Sequence, residues 1–186
     1  MAIVPDDKDW TWVLGRPCPE CGFEAATFPR EQVGDLVRAN ADEWVALLAE
    51  GGDRLRERPS PDRWSGLEYA CHVRDVFRLY DFRLHLMLDQ DDPDYPNWDQ
   101  DAAAVEERYA EQDPAEVVDD LVAAAATLAA SFDAVAAEPA GALWDRTANR
   151  SDGKHFTVES FARYMVHDPV HHAWDVRQGL AALSRP

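Results

Sequence analysis

Residues 157–174 read Thr157-Val158-Glu159-Ser160-Phe161-Ala162-Arg163-Tyr164-Met165-Val166-His167-Asp168-Pro169-Val170-His171-His172-Ala173-Trp174. Phe161, Tyr164, His167, His171 and Trp174 recur at helical spacing along one stripe, and Thr157 stands where an N-cap belongs. The stretch therefore reads as an amphipathic helix that carries two histidines four residues apart. Pro169, between them, removes the bond to the Met165 carbonyl, so the spacing predicts either a kink or a new segment capped by Asp168.

Three further segments have the same period. From about Arg30 to Glu50, Val33, Leu36, Val37, Trp44, Val45 and Leu48 form one face, and Gly51-Gly52 closes it. Ser65 and Glu68 form a capping-box pair at the head of a second helix that extends to Leu88. Asp113 as cap, Pro114 at the first helical position and Glu116 begin a third, with Val117, Leu121, Leu128, Phe132 and Val135 on one side, and Pro139 and Gly141 end it. A single Ile and no convincing strand alternation argue against an extensive sheet. The fold class expected is all-α, an antiparallel four-helix bundle. The connection between helices two and three, roughly 24 residues, is long enough to cross the bundle, which makes helix four antiparallel to helix two.

The 186 residues fit one domain, 1–186, with residues 1–28 as an amino-terminal extension. Thirty-six acidic against 18 basic residues give a net charge of −18, which repels nucleic-acid phosphates and anionic membrane surfaces. No apolar run approaches the roughly 20 residues that span a bilayer, and the amino terminus has neither the basic nor the apolar region of a signal peptide. A cytoplasmic protein without nucleic-acid or membrane partners is the expectation, with a small-molecule substrate and a possible homodimer.

His167 and His171 stack one turn apart, the spacing at which two imidazoles hold one metal ion. His72 lies about seven residues into helix two and His171 about seven before the end of helix four, so antiparallel helices bring them to one height. This makes His72, His167 and His171 a candidate three-histidine metal site; the same spacing also suits histidines satisfied by ordinary hydrogen bonds. Asp75 and Asp168 are candidate carboxylates that orient the ligating imidazoles. His172, about 100° round the helix, is read as a partner for Asp168.

Cys18-Pro19-Glu20-Cys21-Gly22 has the shape of a zinc knuckle but supplies only half a site. A second metal site completed by His155 and another histidine, a redox dithiol and an inert pair remain open. Cys71 belongs to the core. Arg146 and Arg150 concentrate positive charge before helix four, either to bind an acidic substrate or to offset neighbouring Asp residues.

The run from Arg163 to His172, together with His72 in a helix opened by Trp64-Ser65, resembles the DinB-like superfamily, which includes mycothiol-dependent maleylpyruvate isomerases and related bacterial thiol transferases. Pro96-Asn97-Trp98-Asp99-Gln100-Asp101, and Trp12-Val13-Leu14 followed by Cys18-Pro19-Glu20-Cys21, are similar to an actinobacterial subgroup. The resemblance implies a four-helix bundle holding a divalent metal, often zinc or nickel, on one residue of helix two and two of helix four, which map onto His72, His167 and His171. In the isomerases the first of the helix-four pair is a glutamate, so His167 matches the three-histidine branch instead. The implied activity is a divalent-metal-dependent thiol S-transferase using mycothiol or another low-molecular-weight thiol. A metal-dependent hydrolase is the nearest variant, and a non-catalytic metal-binding or stress-associated protein the alternative from another class.

Overall fold

The computed structural model describes residues 8–184. It contains α1 (Val33–Gly51), α2 (Gly66–Asp89), β1 (Asp94–Tyr95), α3 (Gln100–Glu106), α4 (Pro114–Ala136), β2 (Thr147–Arg150), β3 (Lys154–Thr157) and α5 (Val158–Leu183), with short 3-10 turns between them. The four long helices are the four expected segments. α4 packs against α1 and α2, and α5 packs against the same two. Gly34 lets α1 and α4 approach closely, because a Cβ there would stand 3.0 Å from the Ala129 carbonyl oxygen.

The caps are where their residue types place them. Ser65 and Glu68 form the capping box of α2, Asp113 accepts from the backbone of Ala115 and Glu116, and Thr157 pairs with Ser160 in a second box at the head of α5. Trp44, Phe77, Leu84, Leu128, Phe132 and Phe161 are among the side chains that fill the core.

Two features depart from the sequence expectation. A three-stranded sheet, ordered β1-β2-β3, stands beside the helices: β1 is parallel to β2, and β2 and β3 form a hairpin pairing Thr147 with Thr157 and Arg150 with Lys154. Its turn needs Gly153, which sits at φ +85°. The sheet fastens the connection after α2 to the entry of α5, and so holds Trp98 over the bundle. The second is that Pro169 neither ends nor restarts α5, and Asp168 is an interior residue, not a cap. Pro169 deprives the Met165 carbonyl of its helical donor. The Pro169 carbonyl itself accepts from Asn40 Nδ2 at 3.2 Å and Trp44 Nε1 at 3.3 Å, which ties α5 to α1 at this position. Among the described residues, no helix is long and apolar enough to cross a membrane.

Candidate metal centre

Successive residues of a helix point about 100° apart, so the pairs 167/171 and 168/172 are two adjacent stripes of α5. The fold covers each stripe with a different element. α2 brings His72 to the 168/172 stripe, and the amino-terminal turn brings Cys18 and Cys21 to the 167/171 stripe. Two groups of donor atoms result, each within 4.8 Å of one another: His72, Asp168 and His172, and Cys18, Cys21, His167 and His171. The grouping thus differs from the triad of His72, His167 and His171 expected of the sequence. The imidazole assigned to Asp168 as a mere partner joins the cluster, and Asp168 itself supplies a donor atom to it.

In the first group, Nε2 of His72 is 3.3 Å from Oδ1 of Asp168, and Nε2 of His172 is 3.7 Å from Oδ2. His72 is 1% exposed; its two ring nitrogens and Asp168 Oδ1 are all buried without a hydrogen bond. Buried polar atoms are rarely left so, and His72 Nε2 facing Asp168 Oδ1, with His172 in the same cluster, forms an arrangement that a cation satisfies. Two imidazoles and a carboxylate are a recognised donor set for a divalent ion with coordination positions to spare. Burial opposes ionisation of Asp168, but the adjoining His72 and His172 outweigh it and hold the carboxyl well below its usual range. Trp98 stacks on the His72 ring at 5.3 Å with the planes 6° apart, and Trp64 meets it edge-on at 5.4 Å. These indoles keep water from the imidazole.

Asp175 is the residue that sequence reasoning missed. Its Oδ2 lies 3.1 Å from His172 Nδ1 and 3.6 Å from His171 Nε2, and Oδ1 accepts from Arg63 Nη1 at 2.9 Å. Burial works against its charge, yet the bond to His172 prevails and its pKa is lowered. The contact of Nδ1 with Asp175 turns Nε2 of His172 toward Asp168. The signal was present in the spacing, since Asp175 follows His171 by four residues and His172 by three.

In the second group, Sγ of Cys18 is 3.6 Å from His171 Nδ1, and Sγ of Cys21 is 3.8 Å from His167 Nε2. Burial lowers the His167 pKa to about 4 and depresses that of His171, which leaves both rings neutral. Burial also pushes the Cys21 thiol up to about 11, the opposite of what an activated redox thiol requires. The three cysteines are free.

The other candidate residues have structural partners. Asp75 binds Arg74 at 2.8 Å and the Tyr109 hydroxyl at 2.6 Å, fixing the segment before α4, and it belongs to neither donor group. Arg146 donates to the carbonyls of Met87 and Gln90 and so closes the end of α2. Arg150 is buried, doubly bonded to Asp152 and close to the Tyr164 hydroxyl. His155 bonds Asn149 and does not approach the cysteines. Cys71 is buried, with its thiol pushed up to about 12.

Comparison with known proteins agrees with this architecture. A search of curated proteins finds no match. Among solved structures, YfiT from Bacillus subtilis is similar over 94% of this chain and 97% of its own, with a TM-score of 0.65 at 17% identity. YfiT is described as a probable metal-dependent hydrolase with an unusual four-helix bundle topology. At that identity the likeness is one of fold. The family description of the DinB superfamily matches residues 34–176, a span that includes His72, Asp168, His172 and Asp175 but stops short of Cys18 and Cys21. The chain belongs to the DinB superfamily.

Proposed function

We propose that this protein is a metal-dependent enzyme acting on a small electrophilic substrate, with His72, Asp168 and His172 as the metal ligands. The observation that carries the reading is that His72 Nε2 and Asp168 Oδ1, both buried without a hydrogen bond, face each other at 3.3 Å in one donor cluster with His172. A bound divalent ion such as zinc or nickel supplies Lewis acidity, which lowers the pKa of a nucleophile and polarises an electrophile.

The remaining work is done by the chain's own side chains. Asp175 fixes the angle of His172, and Arg63 balances the Asp175 charge. Asp168 contributes one negative charge. Trp98 shields His72 from water and is also part of the wall of a groove of about 550 Å³ between α2 and α3, where Arg74, Arg78, Phe82 and Glu106 provide mixed charge and an apolar surface. A groove of that size suits a small molecule.

A low-molecular-weight thiol of the mycothiol type is the proposed nucleophile, in keeping with the sequence resemblance to bacterial thiol transferases. The likeness in fold to YfiT favours water as the alternative nucleophile, that is, a hydrolase. Zinc- and nickel-loaded protein should be assayed for conjugation of thiols to electrophiles and for ester and amide hydrolysis, beside His72→Ala and Asp168→Ala. Acceleration of either reaction that both variants lose supports the reading and names the nucleophile. Rates equal to buffer, or unchanged in the variants, overturn it.

A further inference from the structure

We infer that Cys18, Cys21, His167 and His171 form a second, closed metal site, a structural zinc that clips the amino-terminal segment onto α5. The donor set is complete: two thiols from one tight turn and two imidazoles one helical turn apart, the combination that zinc binds tetrahedrally. The turn has the shape required, with Gly22 N–H donating to the Cys18 carbonyl at 3.0 Å, Cys18 N–H to the Phe23 carbonyl at 2.9 Å, and Gly22 at φ +75°.

Distances agree with this. Bonds of about 2.3 Å to sulfur and about 2.0 Å to nitrogen, at tetrahedral angles, put a thiolate and an imidazole nitrogen about 3.5 Å apart. The two cross pairs here stand at 3.6 and 3.8 Å, and the four donors all lie within 4.8 Å of one another. The outer nitrogen of His171 faces Glu20 Oε2 at 3.5 Å and Asp175 Oδ2 at 3.6 Å. Those carboxylates stand on the Nε2 side of the ring, and Nδ1 faces the cysteine turn. Cys18 is 2%, His167 3% and His171 5% exposed, and Trp10 covers both imidazoles at 5.7 and 5.1 Å. Four protein ligands behind an indole leave no position for a substrate, so the site is structural.

The consequence is a tie between residues 18 and 171, across 153 positions of sequence. Cys18 and Cys21 lie outside the span 34–176 that matches the superfamily, whereas His167 and His171 lie within it. Asp175 touches an imidazole of each group, so the clip also steadies the carboxylate that orients His172.

The test is cobalt substitution and elemental analysis of the whole, untagged protein, beside Cys18→Ser/Cys21→Ser and His172→Ala. The wild type should show the near-ultraviolet sulfur-to-cobalt charge-transfer band of a dithiolate site. The double Cys variant should lose that band and about one equivalent of metal, and His172→Ala should keep the band. Absence of the band in metal-loaded wild type, or its survival in the double variant, overturns the inference, whatever becomes of the enzymatic assays. Should the double variant fail to fold, thiol alkylation of zinc-loaded wild type decides: protection of two thiols that chelation removes supports the site, and equal reactivity with and without chelator overturns it.

Discussion

Oδ2 of Asp175 lies 3.1 Å from Nδ1 of His172, one turn further along α5. The contact makes the orientation of a candidate ligand depend on a carboxylate that is itself held by Arg63. Partners of this kind set ligand affinity, with losses of about 10–100-fold when they are removed. Asp175→Asn should therefore weaken metal binding at the His72 site by about that factor, measured by competition with a chelating dye. Affinity equal to wild type would show that His172 needs no such support.

Arg146 tests whether the basic segment before α5 serves substrate or structure. Its guanidinium satisfies the Met87 and Gln90 carbonyls at the end of α2. Loss of charged hydrogen bonds of this kind costs about 1.5–3 kcal/mol each at most. Arg146→Ala should lower stability in urea denaturation by about 1–3 kcal/mol and leave KM for the substrate unchanged. A raised KM with unaltered stability would restore the substrate-binding role.

The head of α2 carries a pH-dependent contribution. Glu68 is buried; burial raises its pKa, but Arg58, bonded at 2.5 and 2.9 Å, and the cap at Ser65 prevail, so the folded value is below the ordinary 4.5. A carboxyl depressed on folding contributes stability that is fully present above its unfolded pKa and is lost as pH falls through the folded one. Wild type should lose stability relative to Glu68→Gln as pH drops below about 4.5, in thermal melts from pH 7 to 3. Parallel curves for the two proteins would exclude the pair as a source of acid sensitivity.

Trp44 and Asn40 both donate to the Pro169 carbonyl and so tie α1 to α5 beside the proline. Trp44→Phe keeps most of the ring and removes one donor, so the expected loss is about 1–2 kcal/mol, and Asn40→Ala together with it should cost more than the sum of the two. Chemical denaturation of the three variants measures this coupling. Additive losses would mean that the two donors act independently.

The helices and their starts were legible because each rests on local chemistry. Ser65 with Glu68, Asp113 with Pro114, and Thr157 each satisfy backbone donors within one turn, and the apolar periods behind them are long. The hairpin 147–157 was not, because its strands have four residues each and Arg150, Lys154 and His155 hide the alternation; the Ser151-Asp152-Gly153 turn was its one signal. Histidines at 72, 167 and 171 were recognised as metal-ligand types, but their grouping turns on which stripe of α5 meets which neighbour. Spacing within one helix cannot decide that. Nor can it show that a turn near residue 20 completes a site with residues 167 and 171, since only the folded chain brings them together.

The most direct test of the central claim is metal content by elemental analysis of zinc-reconstituted protein, beside Asp168→Ala and His172→Ala. With His72, Asp168 and His172 as ligands, each variant should lose about one equivalent relative to wild type while its circular dichroism stays helical. Full metal content in both folded variants would contradict the account, since the ion would then be held elsewhere.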